Sequence, residues 1–224
     1  FLSKIYSVKK HIGVKFFIVD HKLRPESTKE ARLVRKVLKK FFINVEILTW
    51  HGKKPLSNIQ SLARKKRYEL LISKCKNLKI HNLLLAHHQD DLFENFFIRI
   101  LRGSGLKGLI SFNKKSKFNN INILRPLLEF RKKDLLFVSK NVFNFIINDP
   151  SNKDDKFQRI RIRKLLLNLE NEGLDKNKFK NTIENLRYSD ETIMFYLQNN
   201  LKKNTFFSEK KKEMILNKDF FAQS

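Results

Sequence analysis

The chain has 224 residues and 41% hydrophobic content, enough for one full domain with its own core and a smaller module beside it. Lys and Arg number 48 against 22 Asp and Glu, a formal charge of +26, which points to a polyanionic partner, nucleic acid first, although a composition biased towards Lys, Asn, Ile and Phe raises the same charge. A single cysteine, Cys75, excludes an internal disulfide and a cysteine-ligated zinc site, and no apolar run approaches the ~20 residues of a membrane span. Residues 1–10 carry charges and lack the continuous apolar core of a signal peptide, so a cytoplasmic location is expected.

In chain order, Leu2, Ile5 and Val8 recur as on the last turns of an amphipathic helix. Residues 14–19, VKFFIV, predict a buried strand with Asp20 and His21 at its carboxyl end. Pro25 lies near the start of a helix running to about Phe41, with Ala31, Val34, Leu38 and Phe41 facing inward. Residues 43–49 alternate as an edge-side strand does. Ser57 can cap a helix over 58–77, whose outer face carries Arg64, Lys65, Lys66 and Arg67. That face is either solvated or a nucleic-acid contact.

Residues 83–86 read as a short central parallel strand that ends in His87, His88, Gln89, Asp90 and Asp91. Glu94 follows, four positions after Asp90 and three after Asp91, so a helix places the carboxylates on one face. Open α/β sheets bind ligands at the carboxyl ends of their strands. Acidic residues also stabilise a helix N-terminus, which is a purely structural reason for the same cluster. Arg102, Gly103, Ser104 and Gly105 then set a cation beside a flexible backbone, a combination suited to phosphate, although a helix stop alone explains Gly103. Strand at 121–124, helix at 131–141 and a last short strand at 143–148 follow. The alternation predicts an α/β, doubly wound, mostly parallel sheet over 1–149. A small basic helical module is expected over 150–224, with helices after residue 158 and over 181–202 and a frayed tail after Asn204.

Five blocks occur in order: VDHKLRPES (19–27), NIQSLARKKRY (58–68), AHHQDDLFENFFIRILRGSGLKGL (86–109), LRPLL (124–128) and DPSNKDDKFQRIRIRKLL (149–166). Together, over about residues 1–170, they resemble the tRNA(Ile)-lysidine synthases, of the N-type ATP pyrophosphatase (PP-loop) group. The resemblance implies an adenine nucleotide alpha hydrolase-like fold and a ligase. Such an enzyme uses ATP and Mg²⁺ to adenylate C2 of the wobble cytidine in a tRNA(Ile) with a CAU anticodon. The ε-amine of free L-lysine then attacks, and AMP and pyrophosphate are released. By position, His88, Asp90, Asp91, Glu94 and Arg102 would be catalytic, with Asp90 and Asp91 holding metal or the lysine amine. Asp20, His21, Gly103, Ser104 and Gly105 would bind nucleotide. Arg64, Arg67, Arg125, Arg159, Arg161 and Arg163 are candidates for RNA contacts, the last four for tRNA or adenylate, because arginine grips phosphate bidentately. No membrane partner is expected, and a homodimer is allowed.

The sequence departs from the family pattern at Leu92 and Asn95, where DDQxET has Gln and Thr, and at Ile160, where RNRIR has Asn. No SGGxDS pyrophosphate loop occurs, and the chain starts at Phe1. The expectation is that this loop and the first strand of the sheet lie upstream, and that these 224 residues alone are inactive. Two other readings stand beside the ligase. One is a sulfur-transferring PP-loop enzyme, disfavoured by the lone Cys75; the other is a basic RNA-binding remnant without catalysis.

Overall fold

The computed structural model describes residues 1–52, 59–147, 154–210 and 212–222, apart from the Gln60 side chain. It divides into two compact units, residues 1–90 with 114–150 and residues 91–113 with 151–224. The expected boundary near Pro150 falls among residues outside the described set. Residues 91–113, read from sequence as part of one 1–149 domain, pack with the C-terminal helices instead. Their apolar side chains explain this, as described below.

The first unit opens with α1 (Leu2–Lys10), closed by His11 in the left-handed region. Strand β1 (Phe16–Asp20) pairs in parallel with β2 (Val45–Thr49), Phe16 opposite Val45 and Asp20 opposite Thr49. Helix α2 (Ser27–Lys39) makes the crossover between them. Helix α3 (Ile59–Asn77) leads to β3 (Asn82–Leu84). β3 pairs in parallel with β5 (Ile121–Leu124), which pairs antiparallel with β4 (Lys115–Phe118). Helix α6 (Lys132–Phe143) ends at Asn144 in the left-handed region. One core joins these pieces: Leu71, Ile72 and Cys75 of α3 pack with Leu83 and Ile121, and Phe17, Val19, Leu48 and Leu85 close around them.

Several expectations need correcting. β3 is an edge among the described strands, not a central one, because β1–β2 and β3–β5–β4 form separate sheets. Its burial alternates, with Leu83 covered and Asn82 and Leu84 exposed, where a central strand is covered on both faces. Residues 115–118 make an unanticipated antiparallel strand. The cause is the turn at Asn119 and Asn120, both at positive φ, which reverses the chain onto β5. The strand expected at 143–148 is absent over 143–147, where the chain ends α6 and continues without strand pairing. Ser57, expected as a helix cap, lies outside the described residues.

In the second unit, α4 (Gln89–Ile100) contributes Leu92, Phe93, Phe96 and Ile98 to a core. The α4 rings of Phe93, Phe96 and Phe97 lie 4.9, 5.4 and 5.4 Å from that of Phe179. Phe179 belongs to α8 (Lys176–Asn204), whose N-terminus Asp175 caps by accepting from the N–H groups of Asn177 and Lys178. Helix α5 (Leu106–Leu109) precedes Phe112, whose carbonyl accepts from Arg187 of α8 at 3.0 Å. Helix α7 (Gln158–Asn171) buries Ile160, Ile162 and Leu166. Among the described residues of the tail, β6 (Thr205–Ser208) and β7 (Glu213–Leu216) form a hairpin, followed by α9 (Asp219–Ala222). Cross-strand pairs such as Phe206–Ile215 supply the apolar contact that a polar, lysine-rich reading of this segment overlooks. Among the described residues, no helix is long and apolar enough to cross a membrane.

Candidate functional site

In the first unit the site begins where β1 ends. The Asp20 carboxylate is 2% exposed and fully engaged. Oδ1 accepts from Ser27 Oγ at 2.8 Å and the Lys22 N–H at 3.0 Å; Oδ2 accepts from Thr28 Oγ1 at 2.6 Å. Burial pushes its pKa up, but the hydrogen bonds from Thr28, Lys22 and Ser27 outweigh this and hold it below the ordinary aspartate value. Asp20 thus anchors the N-terminus of α2 to the end of β1. Ser27 and Thr28 were not singled out from sequence, although two hydroxyls directly after Pro25-Glu26 at a helix start are the available signal.

His21 follows. Its Nε2 accepts from Arg67 Nε at 3.3 Å. Arginine has no acceptor, so the imidazole proton sits on Nδ1, which is buried and has no hydrogen-bond partner. Burial, then the Arg67 charge, lower the His21 pKa against the pull of Asp20, keeping the ring neutral near pH 7. Arg64, on the same basic helix face, lies over the Tyr68 ring at 5.3 Å.

At the end of β3, His88 Nδ1 lies 3.5 Å from Asp90 Oδ2. That oxygen also accepts the Lys132 N–H at 2.8 Å, so Asp90 neutralises the first turn of α6. The Gln89 N–H donates to the Phe130 carbonyl, and Gln89 Oε1 is buried without a partner. Arg125 is 6% exposed and donates to Ser116 Oγ at 3.0 Å, inside the first unit.

In the second unit, Glu94 is 2% exposed and forms a forked pair with Arg163: Nε to Oε1 at 2.5 Å and Nη2 to Oε2 at 3.4 Å. Burial raises the Glu94 pKa more than Arg163 lowers it; Asp91 raises it further and Arg159 lowers it. Arg159 and Arg163, four apart on α7, both act on Glu94. Arg161, between them, folds back to donate to the carbonyls of Asp155 and Lys156. Leu92 and Ile160, the apolar departures from the family pattern, are both buried, so each takes a core position. Asn95, the third departure, keeps a buried Oδ1 without a partner.

The glycine turn is built on local geometry. Gly103 has φ +65°, and the N–H groups of Gly103 and Ser104 donate to the carbonyls of Ile100 and Arg99, a Schellman closure of α4. A Cβ on Gly108 would meet Ser104 Cβ at 2.9 Å. Arg102 is exposed beside this turn. Of the expected residues, His21 and Arg67 come together in the first unit, as do His88 and Asp90. Glu94, Arg159 and Arg163 come together in the second. Among the described residues, no group of three or more His, Cys, Asp or Glu side chains is placed to hold a metal ion.

Residues 2–170 match the model of the PP-loop domain. The chain is 41% identical over 165 residues to a tRNA(Ile)-lysidine synthase of Orientia tsutsugamushi, an alignment covering 74% of this chain and 37% of that protein. It is 39% identical over 179 residues to that of Wolbachia pipientis wMel, covering 80% of this chain and 42% of the relative. The chain thus spans about two fifths of the length of these curated relatives. Among solved structures, the U34-tRNA thiolase NcsA from Methanococcus maripaludis, with its [4Fe-4S] cluster, superposes with a TM-score of 0.64 at 15% identity, over 82% of this chain and 68% of the thiolase. That likeness bears on the fold alone, which is α/β with parallel strands flanked by helices. The family match over three quarters of the chain and the parallel β1–β2 and β3–β5 pairs agree, and the chain belongs to the PP-loop domain family.

Proposed function

We propose that this chain is the larger part of the catalytic domain of a tRNA(Ile)-lysidine synthase. In the reaction, the C2 oxygen of the wobble cytidine attacks the α-phosphorus of ATP and pyrophosphate leaves. The ε-amine of free lysine then adds at C2, and AMP departs with that oxygen. The observation that carries this reading is the buried Glu94–Arg163 pair. It joins two blocks of the resemblance that lie 69 positions apart in the chain, the acidic helix and the RIRIR segment. Sequence identity to the lysidine synthases supports the same assignment.

The residues present fit ATP. His21 Nδ1 and Gln89 Oε1 are a buried donor and a buried acceptor at the ends of β1 and β3, of the kind that a purine and ribose satisfy. Asp20 holds this end of β1 in place rather than offering a free carboxylate. Mg²⁺, held through the ATP phosphates with Asp90 and Asp91 as carboxylate ligands, would neutralise phosphate charge; it commonly needs only one or two carboxylates. Arg102, exposed beside the glycine turn, is suited to phosphate. Arg125 is buried, which favours the adenylate over tRNA as its contact, whereas Arg161 and Arg67 are exposed and suit the RNA backbone. A cytoplasmic location accords with such a substrate. Sulfur transfer is the weaker reading, because the lone Cys75 is 1% exposed and burial pushes its thiol pKa up.

We also propose that the longer protein supplies a strand between β1 and β3. Each of these strands has one partner only among the described residues, while α3 covers both. The test is to incubate the 224-residue chain, and the protein extended by its upstream coding sequence, with ATP, lysine and a CAU-anticodon tRNA(Ile) transcript. Mass spectrometry of the digested nucleosides should find lysidine with the extended protein alone. Its absence from both overturns the ligase reading, and lysidine from the 224-residue chain overturns the need for the strand.

A further inference from the structure

The corner between α2 and β2 has two features that the ligase reading does not use. Arg32, Arg35, Lys36 and Lys39 stand at i, i+3, i+4 and i+7 and form one exposed stripe on α2. With Ile43, Asn44 and Val45 they line an open groove of about 410 Å³. Each neighbouring like-charge pair on this stripe destabilises the helix. Glu30, in the first turn, is committed to Arg24, and no ion pair engages any of the four cations among the described residues. Lys36 and Lys39 gain from the dipole at the C-terminal end of α2, but the mutual repulsion of the four cations is offset by no ion pair among the described residues.

The second feature is Phe42. It lies two residues past the α2 C-cap Lys40, at φ +56°, with its N–H donating to the Lys39 carbonyl and the Ile43 N–H donating to the Leu38 carbonyl. This is a Schellman closure, and its left-handed position favours glycine. A bulky side chain there is a genuine outlier. The described non-glycine residues at positive φ are His11, Lys22, Phe42, Lys79, Asn119, Asn120, Asn144 and Lys212, and Phe42 alone among them is hydrophobic. Its ring is 84% exposed, so core packing does not account for it.

We propose that this corner is an RNA contact, in which the groove takes backbone phosphates and the Phe42 ring stacks on an unpaired base. Cations with an aromatic platform are the chemistry by which single-stranded segments are held. A lipid surface would call for several apolar anchors, and an acidic peptide has no use for a stacking face. The corner stands at the start of β2, whereas Asp20 ends β1; the four steps of the paired five-residue strands separate the two by ~13 Å along the strands. It would grip the tRNA away from the nucleotide end of the sheet. Its biological role rests on the proposed tRNA substrate.

The test uses the full chain and a fluorescently labelled CAU-anticodon tRNA(Ile) transcript, with anisotropy read across a range of salt. Phe42→Gly should weaken binding by about fivefold or more, since stacking is worth at least that much per base. The same change should raise Tm by ~2–4 °C, because glycine removes the backbone strain, so lost binding cannot come from unfolding. Arg32→Gln, Arg35→Gln, Lys36→Gln and Lys39→Gln together should lower the slope of log K against log salt by about 3. They should weaken binding well beyond a charge-matched control carrying Lys9→Gln, Lys10→Gln, Lys202→Gln and Lys203→Gln. Heparin, which has charge but no bases, should bind Phe42→Gly as it binds the parent. Tight RNA binding by Phe42→Gly, parity of the quadruple variant with its control, or equal loss of heparin and RNA on Phe42→Gly would each overturn the proposal. The assay involves no turnover, so a failure to form lysidine is read separately from a failure of this corner.

Discussion

Replacing Arg163 by methionine isolates the interaction on which the second unit depends. Arg163 reaches Glu94 through two N–H groups, and Glu94 is 2% exposed, so its removal leaves a buried carboxylate without its main partner. Breaking a buried pair from one side costs about 3–5 kcal/mol, a large share of the ~5–15 kcal/mol that typically stabilises a domain. Protonation limits the loss. Burial already raises the Glu94 pKa above 4.5 with Arg163 present, and without Arg163 it rises further. A raised carboxyl pKa means that the folded state binds protons more readily than the unfolded state. Its stability contribution is complete below 4.5 and falls as pH rises through the folded value. Arg163→Met should therefore lose ~3 kcal/mol at pH 7 and regain up to ~2.7 kcal/mol at pH 5, at ~1.36 kcal/mol per pH unit. Adding Glu94→Gln should abolish that recovery. Urea unfolding followed by circular dichroism at pH 5, 6 and 7 measures both terms. A loss under ~1 kcal/mol at pH 7, or the same loss at pH 5, would refute the reasoning.

Three further outcomes follow from single sites. Asp20 has a lowered pKa, so its contribution is present above 3.8 and lost as pH falls through the folded value; Asp20→Asn should cost ~1–3 kcal/mol at pH 7 and flatten the acid limb of a stability–pH curve. Gly103→Ala forces a side chain to φ +65° and should cost ~1–2 kcal/mol in thermal unfolding, without changing the charge at Arg102. Cys75 should react with Ellman's reagent only as fast as the native state opens, because its thiol is buried and its pKa raised; rapid labelling of native protein would contradict the packing of α3.

What the sequence determined by itself was local. Periodicity located α2, α3, α4 and α8, the short apolar runs located β1, β2 and β5, and the glycine after Arg102 marked the end of α4. The five ordered blocks pointed to the PP-loop family, because motif residues keep their spacing whatever they touch. Tertiary structure decided what the motif residues hold. The Asp20 carboxylate is held by Ser27 and Thr28, Asp90 Oδ2 accepts from the first turn of α6, and Glu94 pairs with an arginine 69 positions away. No local pattern encodes such pairings, since a carboxylate's partner depends on which helices pack together. Likewise residues 91–113 joined the C-terminal helices because the faces of Phe93, Phe96 and Phe97 found Phe179. The split between β1–β2 and β3–β5–β4 accords with the expectation that a strand of the sheet lies upstream, an expectation that came from the family resemblance; a strand's apolar pattern records that it is covered, while its hydrogen-bonding neighbours are fixed only in three dimensions.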